Sequence, residues 1–341
     1  MIRALSWYGT VRVPFGDDQY DTLPIEITRG TITLDQAWSP YVQTSVDCAL
    51  NNLDVAKAID PTERKFELAL VGSQTGTEDG EDITRVFTTG VESRSISHES
   101  AVFTLESNSK EADLLHETHW GDGYITPGPF DKMSQLVNYV LGRSGMTLTN
   151  VSGPAQLIGT NAAFREWYPG VSAWDYINNQ VRDAGLFLWA DENGRWSLRD
   201  ARVPTDPGVV IAQGKNLKGG DDESTVEGDY YNAVSIEYRW EEDGRSKVMW
   251  GHAIGVPTNA PARFYTKTVN AKFPGHGQAR AILNELLRNR NTQQLRAITD
   301  LRVSPGNVIT IDTPTYSGPA TVTAVTFIVE ADEMLVNVRY A

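Results

Sequence analysis

The chain has 341 residues, 40% of them apolar and 22% charged, and a formal net charge of −14. That balance describes a folded chain with room for two or three domains and excludes a disordered one. So acidic a chain repels nucleic-acid backbones, which argues against sequence-specific DNA binding, and no apolar run approaches the roughly 20 residues of a membrane-spanning helix.

Residues 1–115 are predicted to form an N-terminal β-barrel domain. Alternating strand candidates cover Leu5–Val13, Pro24–Thr28, Thr31–Leu34, Gln43–Ala49, Lys65–Val71, Ile83–Thr89 and Ala101–Glu106, spaced by Pro, Gly, Asp and Asn. Arg29-Gly30 reads as a tight join between two of them, and Gln74–Asp82 as a polar loop tip. The first residues, Met1-Ile2-Arg3-Ala4-Leu5-Ser6-Trp7, lack a signal-peptide apolar region, so assembly in a cytoplasm is expected. The lone cysteine, Cys48, sits in a strand pattern and reads as a small buried hydrophobe. Charge is uneven, since residues 1–120 hold 20 acids and 9 bases. Ser109–His116 reads as a short helical exit.

Residues 116–205 are predicted to form an α/β middle module. After a Gly/Pro linker, Asp131 is placed to cap a helix with Met133, Leu136, Val137, Val140 and Leu141 on one face. Gly142 and Gly145 end it. Ser172 and Asp175 make a capping-box pattern for a second helix. Leu186–Ala190 and Arg195–Leu198, joined by Asp191-Glu192-Asn193-Gly194, read as a hairpin.

Residues 206–341 are predicted to form a C-terminal β-barrel domain. Lys215–Gly228 reads as a polar connection. Asn232–Tyr238 and Ser246–Trp250 read as paired strands, and Tyr265–Val269 as another. A helix from Gly277 to about Asn291 has Ala279, Ile282, Leu283, Leu286 and Leu287 on one face. Past the Pro305-Gly306 turn, Val308–Asp312, Thr321–Val329 and Val336–Tyr340 read as strands. The fold class expected is mainly β with an α+β insertion: two small antiparallel barrels flanking a helix-hairpin module, a coarse duplication.

Chemistry-bearing patterns are sparse. His116 and His119 stand at helical i, i+3 spacing with Asp113 and Asp122 close, one residue short of the metalloprotease spacing. The acids of loop 78–82 lack the alternation of a calcium loop. Whether either binds a metal stays open at this stage, and no metal or cofactor is assigned. No nucleophile elbow or phosphate loop occurs, so no catalytic residues are named and no enzymatic activity is expected. Trp167 and Tyr168 are the candidate subunit-interface residues, because aromatics are enriched at interface hot spots.

Three segments together resemble a known family. Val171-Ser172-Ala173-Trp174-Asp175-Tyr176-Ile177, followed by Gly185-Leu186-Phe187-Leu188-Trp189 and Asn193-Gly194-Arg195-Trp196, resembles the middle of phage tail-hub proteins. Arg302-Val303-Ser304-Pro305-Gly306-Asn307-Val308-Ile309 resembles the barrel entry of the same family. Ile27-Thr28-Arg29-Gly30-Thr31-Ile32 with Trp38-Ser39-Pro40-Tyr41 is similar to the start of minor tail proteins from long-tailed phages of actinobacteria. The resemblance implies a structural virion protein, a homotrimeric tail-tip or baseplate hub whose six barrels form a channel for transient, non-specific DNA passage. It implies neighbours among the tail tube or distal tail ring, the tape-measure protein and the tip proteins, and no membrane anchor. The absence of a long extension after the last strand predicts that wall digestion and receptor recognition belong to other subunits. Two alternatives stand beside it: a carbohydrate-binding or polysaccharide-degrading β-protein, and a hexameric distal tail ring protein.

Overall fold

The computed structural model describes residues 4–14, 20–51, 53–76, 82–151, 166–183, 186–200, 205–224, 231–242, 244–255, 262–270, 273, 279–280, 282–283, 286 and 291–340. The N-terminal region is β-rich, as its alternation predicts. Ala4–Pro14 (β1), Tyr20–Ile25 (β2), Ile27–Asp35 (β3) and Val42–Ala49 (β4) precede a short helix, Leu53–Ala58 (α1), which the sequence reading did not include. Glu67–Thr75 (β5), Ile83–Ser97 (β6) and Val102–Asn108 (β7) form a meander, and Glu111–His116 (α2) leads out. These strands lie in the order β2-β1-β5-β6-β7-β4-β3. Its two end strands, β2 and β3, are separated in the chain by Glu26 alone. The half-sheet therefore curls enough for one residue to span from one end strand to the other.

Arg29-Gly30 is not a turn. Both residues lie inside β3, next to a bulge between Ile27 and Arg29 opposite β4. Glycine is required because β4 passes so close that a Cβ on Gly30 would stand 2.5 Å from the Ser45 carbonyl oxygen.

The middle module contains Met133–Arg143 (α3), Leu148–Val151 (β8), Ala173–Asp183 (α4), Leu186–Ala190 (β9) and Trp196–Asp200 (β10). Ser172 caps α4 as read: its hydroxyl accepts from the Asp175 amide at 3.0 Å and donates to the Asp175 carboxylate at 2.8 Å. Asp131 is not the cap of α3. Instead the Gln135 side chain accepts from the Asp131 and Lys132 amides. The predicted apolar face of α3 is buried, packing with Trp174, Ile177, Val181 and the β9–β10 hairpin in a core of its own.

The rest of the chain carries Val210–Ala212 (β11), Leu217–Ser224 (β12), Ala233–Glu242 (β13), Arg245–Ile254 (β14), Phe264–Val269 (β15), Asn291–Ala297 (β16), Val308–Asp312 (β17), Ser317–Ile328 (β18) and Glu333–Arg339 (β19). The supposed polar connection holds strand β12. Gly219, Gly220, Asp221 and Asp222 have poor strand propensity, and the ladder with β16 supplies the order that propensity does not. Ala279, Arg280, Ile282, Leu283 and Leu286 are helical as predicted. Ala279 and Leu283 are buried against Val234, Ile236 and Tyr238 of a separate sheet, β14-β13-β15. That helix belongs to a unit inserted between β12 and β16, and Asn291 already begins β16.

The remaining C-terminal strands lie in the order β11-β17-β18-β19-β16-β12, and their ends are again near in sequence. Residues 213–216 join β11 to β12, held by the Asn216 side chain, which accepts from the Ala212 amide at 2.9 Å and donates to the Val210 carbonyl at 2.8 Å. Among the described residues no ladder closes either curl. The two β regions are also not separate bodies. β18 pairs with β17 over residues 317–321 and with β3 over residues 324–328, so both halves share one 13-stranded sheet and one core. Trp7, Phe87 and Phe327 meet in that core with ring centroids 5.9–6.3 Å apart.

The duplication runs deeper than composition suggests. The series β3, β4, β5, β6, β7 and the series β12, β16, β17, β18, β19 pair in the same pattern. The bulge between Val91 and Ser93 of β6 recurs between Val322 and Ala324 of β18. The bulge between Ile27 and Arg29 of β3 recurs between Leu217 and Gly219 of β12. Gly220 falls on Gly30, and for the same reason: its Cβ would lie 2.9 Å from the Gln294 carbonyl oxygen.

Candidate assembly surfaces

The β9–β10 hairpin clamps the junction of the two halves. In its turn, the Glu192 carbonyl accepts from the Thr88 amide of β6 at 2.6 Å. The Glu192 carboxylate pairs with Arg85 at 3.1 Å. Arg85 is itself buried and donates to the carbonyls of Leu301 and Val303 and to the Ser304 hydroxyl, at 2.7–3.0 Å. Its guanidinium also lies over the rings of Phe87 and Phe327. One side chain thus ties β6, the hairpin and the segment before β17. Gln74 repeats the theme, donating to Thr299 and accepting from Leu301.

Behind the hairpin lies a buried carboxyl. Glu111 accepts from the Ala190 amide at 2.8 Å. Burial pushes its pKa up to about 7, because desolvation penalises the charged form more than the nearby donors favour it. Burial also pushes the Tyr41 phenol up and the Arg199 guanidinium down, the latter lying over Trp189. Such a network rigidifies the joint, since each of its groups depends on its neighbours' placement.

Exposed aromatics mark a first outward surface. Residues 117–125 and 166–172 run side by side: Ile125 and Trp167 exchange backbone hydrogen bonds at 3.0 and 2.8 Å, and Gly170 donates to His119 at 2.9 Å. Adjacent residues on so extended a backbone face opposite ways. Trp167 turns inward, fully buried, stacked on Tyr176 at 5.0 Å and donating its indole N–H to the Val171 carbonyl. Tyr168 turns outward, 51% exposed, against Tyr124 at 5.6 Å, with Trp120 86% exposed in the same loop. Of the two candidate interface residues, then, Tyr168 has a surface to offer and Trp167 is core. The sequence reading missed Trp120 and Tyr124; the signal was their placement around Gly121 and Gly123, taken there as linker.

The β13–β14 hairpin is a second surface. Residues 245–250 are exposed on both faces of the strand, including Val248, Met249 and Trp250, and Trp250 stacks on His252. Large contiguous apolar exposure of this kind marks interaction surfaces.

The metal candidates do not converge. α2 ends at His116 and Glu117 is extended, so the helical i, i+3 relation fails. His116 pairs with Glu92 at 3.2 Å, whereas His119 is buried and bonded to the Gly123 carbonyl at 2.8 Å. Residues 78–81 of the acidic loop lie outside the described residues. Among the described residues no three His, Cys, Asp or Glu side chains are grouped to hold a metal. Cys48 is buried, and burial pushes its thiol up to about 12, leaving it unreactive. No helix of the described residues is long and apolar enough to cross a membrane.

No family model and no curated protein matches the sequence. Solved structures do. The chain superposes on the tail protein from Neisseria meningitidis MC58 with a TM-score of 0.65, at 13% identity over 98% of this chain and 97% of that one. On the 43 kDa tail protein of prophage MuSo2 from Shewanella oneidensis the TM-score is 0.64, at 12% identity and 98% of each chain. On prophage tail protein gp18 from Listeria monocytogenes it is 0.60, at 9% identity over 97% and 94%. The fold is that of phage tail proteins. The likeness runs the length of the chain.

Proposed function

We propose that this chain is a structural part of a phage tail: a trimeric hub at the distal end of the tail tube, in the tip or baseplate. The observation that carries the reading is the duplication. Two curled halves with the same pairing and bulges lie in one sheet, inside a fold shared end to end with prophage tail proteins. Three such chains present six similar halves, which fits a six-fold tube on one side and a three-fold tip on the other. In this reading residues 1–115 and 206–341 supply the two tube-like barrels and residues 116–205 connect them. The attribution to an actinobacterial phage rests on the Ile27–Ile32 and Trp38–Tyr41 segments.

The role is mechanical and not catalytic. One face binds the tube or distal tail ring; the other holds tip proteins and contacts the tape-measure protein. Tyr168, Tyr124 and Trp120 serve as contacts to these neighbours, large aromatics held on a hydrogen-bonded platform. The acidic excess of residues 1–120 suits a channel through which DNA slides without sticking. The protein is assembled in the host cytoplasm and resides in the virion tail.

A carbohydrate-binding role is the second reading, favoured by the same exposed aromatics. The rings of Tyr124 and Tyr168 are tilted 49° to each other and offer no flat platform for a sugar, which places this reading second. Native mass and class-averaged electron micrographs of the purified protein test the choice. A three-fold ring with a central channel is expected. A stable monomer that retains wall polysaccharide would replace the hub by the second reading, and a six-copy ring would replace it by a distal tail ring.

A further inference from the structure

The duplicated halves leave one joint made and its counterpart open. Inside the chain, β3 adds to the second part of β18, with Thr31 opposite Ile328, Ile32 opposite Phe327, Thr33 opposite Thr326 and Leu34 opposite Val325. The shared bulges place Ser93–Ser97 of β6 where Ala324–Ile328 stand in β18, and Asp221–Ser224 of β12 where Thr31–Leu34 stand in β3. Among the described residues both counterparts have an edge without a ladder. β6 pairs with β5 only over Ile83–Gly90, and from Ser93 to Ser97 that side carries no ladder among the described residues. β12 pairs with β16 on one side and ends the sheet on the other.

Burial follows the same line. Ala324, Val325 and Phe327 are buried where β3 covers them, whereas Ser95 and Ser97 are exposed and Ser93, Arg94 and Ile96 only half-buried. The chemistry suits an edge that waits in water. The β6 stretch is three serines, an arginine and an isoleucine, and β12 carries Asp221, Asp222 and Glu223. Polar and charged residues keep open edges from indiscriminate pairing.

We propose that copies of this chain join by β12 of one adding, antiparallel, to Ser93–Ser97 of β6 in the next. This rests on the reading of the chain as a ring former and names the surfaces that close the ring. The register expected sets Asp221 opposite Ser97, Asp222 opposite Ile96, Glu223 opposite Ser95 and Ser224 opposite Arg94. The contact is head-to-tail, so every copy uses both of these edges and neither of the two stays open. The occupant is a second copy because the chain already carries the matching strand pair as its own internal joint.

Cysteine cross-linking of the full chain tests it. Ser95→Cys and Glu223→Cys are made in separate preparations, mixed, assembled and oxidised; Ile96→Cys with Asp222→Cys forms the second set. Neighbouring antiparallel pairs alternate between the two hydrogen-bonding classes, so one set has the closer geometry. A two-chain band is expected from a mixture and not from either preparation alone. The double variant is expected to give a covalent ladder ending at the copy number of the native ring. A ring by native mass with no cross-link in either set overturns this joint and leaves the ring reading standing. A monomer by native mass sinks the ring reading and the joint with it. Hydrogen exchange on the unmodified protein is a second measure: the amides of residues 93–97 that point away from β7 should slow about ten-fold or more on assembly, and unchanged exchange at them in the assembled ring overturns the joint.

Discussion

The first half, β1 to β7, and the second, β11 to β19 without its inserted sheet, share the ladders that join β3 to β7 and β12 to β19 but little of their side-chain chemistry. Where the second half has Val325 and Phe327, the first has Arg94 and Ile96. The insertions also differ. The first half adds helix α1 between β4 and β5, and joins β3 to β4 by a short turn. The second expands that same β3–β4 connection into the β13–β15 unit. What both keep is what strand geometry enforces: register, bulges, and the glycine at which two backbones nearly touch. Connections tolerate added chain, and ladders do not tolerate slippage, because a one-residue shift turns every buried side chain outward.

The largest test of this contrast is the clamp that exists on one side only. Arg85→Met removes a buried cation with four acceptors and leaves Glu192 and two carbonyls unsatisfied. A loss of about 3–5 kcal/mol is expected in chemical denaturation; a loss under about 1 kcal/mol would show that the hairpin does not hold the halves together.

The paired positions Phe327 and Ile96 come next. Phe327→Ala should cost about 3–5 kcal/mol, and Ile96→Ala about 1 kcal/mol in the unassembled chain, since Ile96 is only half-buried there. Equal costs would mean that the open edge is already covered in the free chain. Gly30→Ala and Gly220→Ala should each cost about 1–3 kcal/mol by overpacking against backbone. Gly30 should be the worse, its Cβ position being the tighter.

Glu111 gives a pH signature. Its folded pKa, about 7, lies above the ordinary carboxylate value of 4.5. Between these values the folded state holds more protons than the unfolded one, so stability contributed at this site falls as pH rises from about 4.5 to about 7. Glu111→Gln should remove that component, on the order of 1 kcal/mol or more, seen as a flatter profile of denaturation midpoint against pH. The same slope in the variant would assign the titration to another group. The smallest effect on stability is expected at the aromatic platform: Tyr168→Ala should change it by less than about 0.5 kcal/mol, while weakening co-assembly with tail partners in pull-down assays.

Much of the local structure was legible in the sequence. Period-two alternation located most strands, the Ser172–Asp175 capping box placed α4, and Asp191–Gly194 gave the hairpin turn, because each depends on neighbours a few residues away. Most of the candidate surface was not legible. Trp167 and Tyr168 are adjacent and equally aromatic; which one faces out depends on pairing with Ile125, some forty residues earlier. β12 looked like a polar connection because its order comes from β16, across an inserted sheet. Arg29-Gly30 looked like a turn because glycine signals both a turn and a close backbone approach, and only the position of β4 separates the two. The sequence by itself determined the β class, most of the element types and the resemblance to tail proteins, all properties of local pattern and order. The tertiary structure alone decided that the two β regions share one sheet and which of its edges stay open, because hydrogen bonds between strands hundreds of residues apart leave no local trace in the chain.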